Sequence, residues 1–222
     1  MPENHPAARS TFDARAAAQS ARAQHQRQLV LASTSPFRRE LLARLGLAFV
    51  TAAPQCDETR LDAEPAPALV QRLAEAKARA VAAHFPDALI IGSDQVACLD
   101  DRILGKPGTR ARALEQLRAA SGREVVFRTG LCLYDACTDQ AEVCCETYRV
   151  WFRTLAEAEI VGYVDREQPF GCAGSFKAEG LGIALFERLE GEDPTSLIGL
   201  PLIRLAALLR AAGIDPLSAV SA

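Results

Sequence analysis

Aromatic residues are scarce in this sequence, with one Trp, three Tyr and nine Phe among 222 residues. A basic surplus is also missing: 25 Lys and Arg stand against 28 Asp and Glu, for a formal net charge of −3. A chain that grips nucleic acid usually carries a concentrated basic stripe or a set of aromatic platforms. Without either, no nucleic-acid partner is expected. No stretch approaches the roughly 18 consecutive apolar residues of a membrane span, so no membrane partner is expected either. The seven cysteines are odd in number and form no Cys-x-x-Cys pair, which reads as reduced thiols in a cytoplasmic protein rather than a disulfide framework. No internal repeat is visible. What remains is an ordinary globular composition, 49% hydrophobic and 24% charged, in a chain long enough for one sizeable domain.

The first 28 residues lack bulky apolar side chains except Met1 and Phe12. Such a segment buries too little area to offset its ordering entropy, and it has no apolar core of a secretory signal. A disordered or loosely helical extension is expected over residues 1–28, followed by one folded domain over 29–222. Within that domain the pattern alternates. Strands are expected at Leu29–Ala32, Phe49–Ala52 and Leu89–Leu99, with a long antiparallel pair at Glu124–Tyr134 and Glu142–Phe152. Helical periodicity runs over Pro36–Leu45, Pro67–Phe85, Thr109–Ala120 and Leu202–Ala212. Thr154 and Glu157 read as a capping box opening a further helix to Val164. The fold class that follows is α/β, a mixed twisted sheet flanked by helices.

The segment from Leu31 to Glu40 is the most informative. Ser35 before Pro36 is a strong helix start, a hydroxyl N-cap followed by proline at the first helical position. Acids are favoured in that first turn, yet Arg38 and Arg39 stand there, with no acid three or four residues away. Free backbone N–H groups, the hydroxyls of Ser33, Thr34 and Ser35, and two guanidiniums together suit a phosphate cradle; a solvated basic helix end is the plainer alternative. Farther along, Asp94 and Gln95 interrupt the apolar run Leu89–Ala97, where a buried carboxylate is expensive unless paired or metal-bound. With Asp57 and Glu58 in an upstream loop, Lys77 in a helix and Lys106 on the Gly105–Pro107 turn, the set suggests Mg²⁺-assisted attack on a phosphoanhydride. Taken singly, Asp94 reads equally well as a turn or strand-end cap and Lys77 as a surface lysine.

Five runs occur together and in order: Leu31–Arg39, Asp57-Glu58-Thr59, Ile91–Gln95, Gly105-Lys106-Pro107 and Gly199-Leu200-Pro201. In this the chain resembles the Maf family of nucleotide pyrophosphatases over about residues 29–217, which implies an inosine-triphosphatase-like architecture. Within the family it is most similar to the 7-methyl-GTP pyrophosphatase branch, through Phe37, Gln95 and the run Cys172–Gly180. The branch acting on dTTP and UTP typically has arginine where Phe37 stands and glutamine where Glu179 stands. Phe37 departs from the tryptophan typical of the 7-methyl-GTP branch.

The resemblance implies roles. Asp94 matches the proton acceptor that activates water at the α–β anhydride. Ser33, Arg38, Lys77 and Lys106 match phosphate-handling positions, and Glu58 an acidic site residue. Phe37, Gln95 and Glu179 match the positions that set base preference. The implied cofactor is a divalent cation, Mg²⁺ or Mn²⁺, with Asp94 and Glu58 as its protein ligands, and the implied assembly is a homodimer. A methylated guanine is cationic, so an aromatic face at Phe37 and a carboxylate at Glu179 would both attract it. Lys177 is placed to pair either with substrate or with Glu179. Two other readings stand beside this one: a pyrophosphatase for dTTP or UTP, and a nucleotide-sensing or division-regulating binding protein.

Overall fold

A computed structural model of the protein describes residues 27–218. The extension expected over residues 1–28 lies outside the described residues, apart from its last two. Of these, Arg27 donates to Asp135 (2.7 Å) and Gln28 accepts a hydrogen bond from the Leu89 amide.

The elements are β1 (Leu29–Ala32), α1 (Pro36–Ala43), β2 (Val50–Ala52), α2 (Ala66–Ala82), β3 (Leu89–Leu99), β4 (Arg102–Leu104), α3 (Arg110–Ala120), β5 (Glu124–Asp135), β6 (Gln140–Phe152), α4 (Glu157–Glu167), β7 (Phe186–Gly191) and α5 (Leu202–Ala211). The strands form one seven-stranded sheet in the order β2-β1-β3-β5-β6-β7, with β4 folded back on β3. β2, β1 and β3 run parallel, while every other pairing is antiparallel. This is the mixed α/β arrangement expected. The sequence pattern did not announce β4 or β7. The first has only three residues, and the second, Phe-Glu-Arg-Leu-Glu-Gly, is the kind of charged edge strand that discourages further pairing.

Alternation along the strands splits the core. Leu29, Leu31, Leu89 and Ile91 face Leu41 and Leu42 of α1 and Leu205 and Leu209 of α5. Val30, Ala32 and Ile90 face Ala74, Ala78 and Val81 of α2. A third cluster gathers Leu114 and Leu117 of α3, Ile160 and Val164 of α4, and Phe127 and Phe152 of the long hairpin. β3 passes from one end of this arrangement to the other: Ile91 belongs to the α1/α5 cluster and Ala97 to the α3/α4 cluster. Its polar middle, Ser93 to Gln95, lies between them.

Two glycines bring α2 onto this middle. A Cβ on Gly92 would lie 2.0 Å from the Ala74 carbonyl oxygen, and one on Gly130 would lie 2.0 Å from that of Val70. Both contacts are impossible for any other residue, so the helix backbone rests directly on β3 and β5. Gly130 is also the cross-strand partner of Asp94. The close approach sets Lys77, one turn beyond Leu73, against Asp94.

The start of α4 differs from expectation. Its N-cap is Ala156, and the Glu159 carboxylate accepts the Ala156 N–H at 2.8 Å, which is half of a capping box. Glu157 instead pairs with Arg118, and Thr154 lies upstream of the helix. The expected box was displaced by two residues because Glu159 offers the same chemistry as Glu157, in register with the true helix start.

Candidate active site

A cavity of about 640 Å³ opens between α1, α2, the middle of β3 and the Gly171–Glu179 segment. That is within the usual range for a small-molecule site. Nine of the side chains singled out from the sequence line it: Ser33, Phe37, Arg38, Glu58, Lys77, Asp94, Gln95, Lys106 and Glu179. These come from six separate places in the chain, and the fold brings every one of them together. Arg39, the second guanidinium expected in the cradle, and Asp57 are exposed and are not among its lining residues.

The deepest group is an ion cluster. Lys77 and Asp94 are both buried, with Nζ 2.6 Å from Asp94 Oδ1 and 3.1 Å from Glu58 Oε1. One ammonium thus serves two carboxylates. Asp94 lies in the middle of an unbroken strand and not at a turn or strand end, which sets aside its reading as a cap. Glu58 is exposed, but its loop is pinned: Arg72 of α2 makes two bonds to the Glu64 carboxylate (2.7 and 2.8 Å) and a third to the Thr59 carbonyl (3.1 Å), and Arg60 donates to the Glu64 carbonyl. The Arg72 guanidinium holds the Glu64 carboxyl down at about 2, well below its ordinary value.

The start of α1 forms the next wall. Ser35 Oγ accepts the Arg38 amide (3.4 Å), and Ser33 Oγ accepts the Ser35 amide (3.1 Å). These are the cap and preceding hydroxyl that the sequence suggested, and the first turn holds no acid. Arg38 does not dangle in solvent as a plain basic helix end would. It is half-buried and donates through Nε to the Gly199 carbonyl at 2.8 Å. Burial lowers the affinity of its guanidinium for its proton, against the opposing pull of Asp94 and Glu58.

Lys106 is exposed on a loop tied at two points: Gln116 donates to the Gly105 carbonyl (3.0 Å), and the Gly108 amide donates to the Phe170 carbonyl (3.0 Å). The segment that carries Glu179 is held by α4 and by an aromatic cluster. Tyr163 Oη accepts the Lys177 amide (3.1 Å), Glu167 accepts the Leu181 amide (3.1 Å), and Phe176 packs edge-on against Phe127, Phe152 and Phe186. Lys177 pairs with Glu167 at 3.2 Å. Glu179, one of the partners considered from the sequence, does not hold it; the α4 carboxylate does. Cys172 also faces the cavity, its thiol pushed up by burial. Phe37 is half-buried and Glu179 exposed, so neither is a core residue.

Several supporting groups carry no signal of their own in the sequence. Thr129 accepts from Gln95 Nε2, Arg72 and Glu64 pin the Glu58 loop, and Gln116 holds the Lys106 loop, yet each is an unremarkable residue whose role depends on contacts made only in the folded chain. The two carboxylates that converge on Lys77 suit a hard divalent cation, which commonly takes one or two protein carboxylates and completes its shell with water and substrate phosphates. Among the described residues, no group of three or more His, Cys, Asp and Glu side chains could hold a metal alone.

Residues 28–212 match the family profile of the Maf-like proteins. The chain belongs to the Maf family. Three curated relatives share one description. The 7-methyl-GTP pyrophosphatase of Nitrosococcus oceani is 60% identical to this Maf chain over 185 residues, covering 83% of the chain and 93% of the relative. The protein of the same description from Vibrio cholerae is 58% identical over 188 residues, covering 85% and 97%. That from Pseudoalteromonas translucida is 53% identical over 193 residues, covering 87% and 96%. No helix among the described residues of this Maf chain is long and apolar enough to cross a membrane.

Proposed function

We propose that the protein is a nucleoside-triphosphate pyrophosphatase that cleaves the α–β anhydride of 7-methyl-GTP, releasing 7-methyl-GMP and pyrophosphate. The observation that carries the reading is the convergence, in one cavity, of a buried Lys77–Asp94 pair, an arginine at a helix N-terminus, a half-buried phenylalanine and an exposed glutamate. The description shared by relatives at 53–60% identity supports the same substrate.

In this reading, Arg38, Lys106, Ser33 and the Phe37 amide at the start of α1 bind the polyphosphate. Lys77 engages Asp94 Oδ1 and so orients the carboxylate, leaving Oδ2 to take a proton from the attacking water. The water oxygen bonds to the α-phosphorus, the bond from that phosphorus to the bridging oxygen breaks, and the electron pair leaves with pyrophosphate. Lys106 and Arg38 oppose the charge that builds there. A divalent cation, Mg²⁺ or Mn²⁺, would be held by Asp94 and Glu58 and would supply further neutralisation of the phosphate oxygens. At the other end, the Phe37 ring and the Glu179 carboxylate attract the cationic methylated base, and Glu179 can also accept hydrogen bonds from the guanine edge. A cytoplasmic location and a homodimeric assembly complete the reading.

The test is a parallel hydrolysis screen of 7-methyl-GTP, GTP, dTTP and UTP with detection of pyrophosphate. The expected result is highest kcat/KM for 7-methyl-GTP. Preference for dTTP or UTP would move the protein to the other branch, and tight nucleotide binding without turnover would favour a sensor.

A further inference from the structure

The Gly199-Leu200-Pro201 run contributes no polar side chain to the cavity. Even so, the turn that it closes receives hydrogen bonds from four polar side chains, two of which, Arg38 and Gln95, line the cavity. The Ser196 carbonyl accepts from Gln95 Nε2 (2.7 Å) and Thr129 Oγ1 (2.9 Å), and the Leu197 carbonyl accepts from Gln95 Nε2 (3.1 Å). The Gly199 carbonyl accepts from Arg38 Nε (2.8 Å) and Ser93 Oγ (2.9 Å). Gly199 has φ of +120°, open to glycine but strained for other residues, and a Cβ there would sit 3.4 Å from Arg38 Nε.

The turn is itself lashed down from behind. Asp193, 2% exposed, accepts the Thr195 amide (2.9 Å) and hydroxyl (2.6 Å) through Oδ1 and the Ile203 amide (2.7 Å) through Oδ2. Thr195 Oγ1 in turn accepts the Leu202 amide at 2.8 Å. Leu202 and Ile203 open α5, so this knot satisfies two otherwise orphaned donors and places a carboxylate at the positive end of the helix. Both ends of the turn are thereby fixed to one rigid element.

We infer that Asp193 is a positioning residue for the site, acting with Thr195 through the 193–201 turn to aim Arg38 and to orient the Gln95 amide. Arg38 spends Nε on Gly199 and keeps its two terminal nitrogens for an anion. Gln95 commits its donor nitrogen to the turn and keeps only its oxygen, so it can serve a ligand solely as an acceptor. That suits the N–H donors on the guanine edge. The substrate side of the inference rests on the pyrophosphatase reading, whereas the anion side does not.

The experiment uses Thr195→Val, which keeps the shape and removes the hydroxyl, Thr195→Ser, which restores it, and Asp193→Ala. Kinetics with 7-methyl-GTP and GTP are measured on the full chain, together with pyrophosphate binding by calorimetry. Losing the knot should raise KM and the pyrophosphate Kd on the order of tenfold in Thr195→Val, as expected for one or two lost hydrogen bonds, with a smaller change in kcat. Asp193→Ala should exceed this, and Thr195→Ser should return close to the parent. Unchanged KM and Kd in folded Thr195→Val would overturn the inference, as would a fall in kcat alone that tracks a reduced folded fraction. If the parent hydrolyses no nucleoside triphosphate but Thr195→Val still weakens pyrophosphate binding, the enzymatic reading fails and the positioning role stands.

Discussion

On the proposed reading the cavity has a phosphate end and a base end, and the two are built differently. At the phosphate end, Lys77 and Asp94 are buried and Arg38 half-buried, each with a partner fixed on a different element, while Glu58 and Lys106 are exposed. At the base end, Gln95 is held by the Ser196 and Leu197 carbonyls, but Phe37 is only half-buried and Glu179 is exposed on a loop. Groups that meet a triphosphate face the same charge in every nucleotide, and a rigid, desolvated arrangement stabilises a fixed target well. Groups that meet the base must discriminate, and besides the fixed Gln95 amide that task falls to Phe37 and Glu179, whose replacement disturbs little else. The chemistry is therefore expected to be brittle to mutation, and the preference easy to change.

The largest effect is expected from breaking the buried end. Asp94→Asn leaves a side chain that still accepts from Lys77 but cannot take a proton, so turnover should fall by about 10²–10⁴-fold. Melting temperature should move only a few degrees, because Lys77 keeps Glu58 as an ionic partner. Near-normal turnover in the folded variant would remove Asp94 from the chemistry.

A smaller, more selective effect is expected at the open end. Phe37→Arg combined with Glu179→Gln places a cation where the ring stood and removes the opposing carboxylate. Together they should cost on the order of 2–4 kcal/mol in transition-state binding of the methylated base, roughly 30- to 1000-fold in specificity. The readout is the ratio of kcat/KM between 7-methyl-GTP and GTP, which is insensitive to lost folded protein. A flat ratio would make both residues scaffold, and the contrast between the two ends would lose its base half.

How much of this was legible beforehand follows the same division. Arg38 and Asp94 are readable because their types conflict with their local setting, an arginine in the first turn of a helix and a carboxylate inside an apolar strand, whereas Phe37, Lys77 and Glu179 look ordinary by themselves and stand out only through the family resemblance. Most helices and strands were readable because their periodicity is strong and Gly46, Pro86 and Gly213 punctuate it. What escaped was whatever depends on distant pairing. Asp193 and Thr195 look like ordinary turn residues until Leu202 and Ile203 are folded back onto them. Glu167 looks like the polar end of a helix until Lys177 arrives beside it. β4 and β7 exist only because β3 and β6 offer them edges.

The smallest effect should come from a region that touches neither end. Arg27 joins Asp135 by a two-nitrogen contact, clamping the chain before β1 to the end of β5, at the opposite end of β1 from Ser33. The guanidinium holds the Asp135 carboxyl at about 2, below the ordinary 3.8. A carboxyl that titrates lower in the folded than in the unfolded state stabilises the fold above its unfolded value, and the gain disappears as pH falls through the folded one. Both side chains are about one-fifth exposed, so the pair is worth about 1 kcal/mol rather than the full shift. Arg27→Ala should lower the melting temperature by about 2–4 °C at pH 7, with kcat/KM and substrate ratio unchanged. The gap between variant and parent should narrow from pH 4 downward and close near pH 2. A gap that persists there would point to lost packing of the arginine stem, and a change in substrate ratio would mean that the far end of the sheet is coupled to the cavity after all.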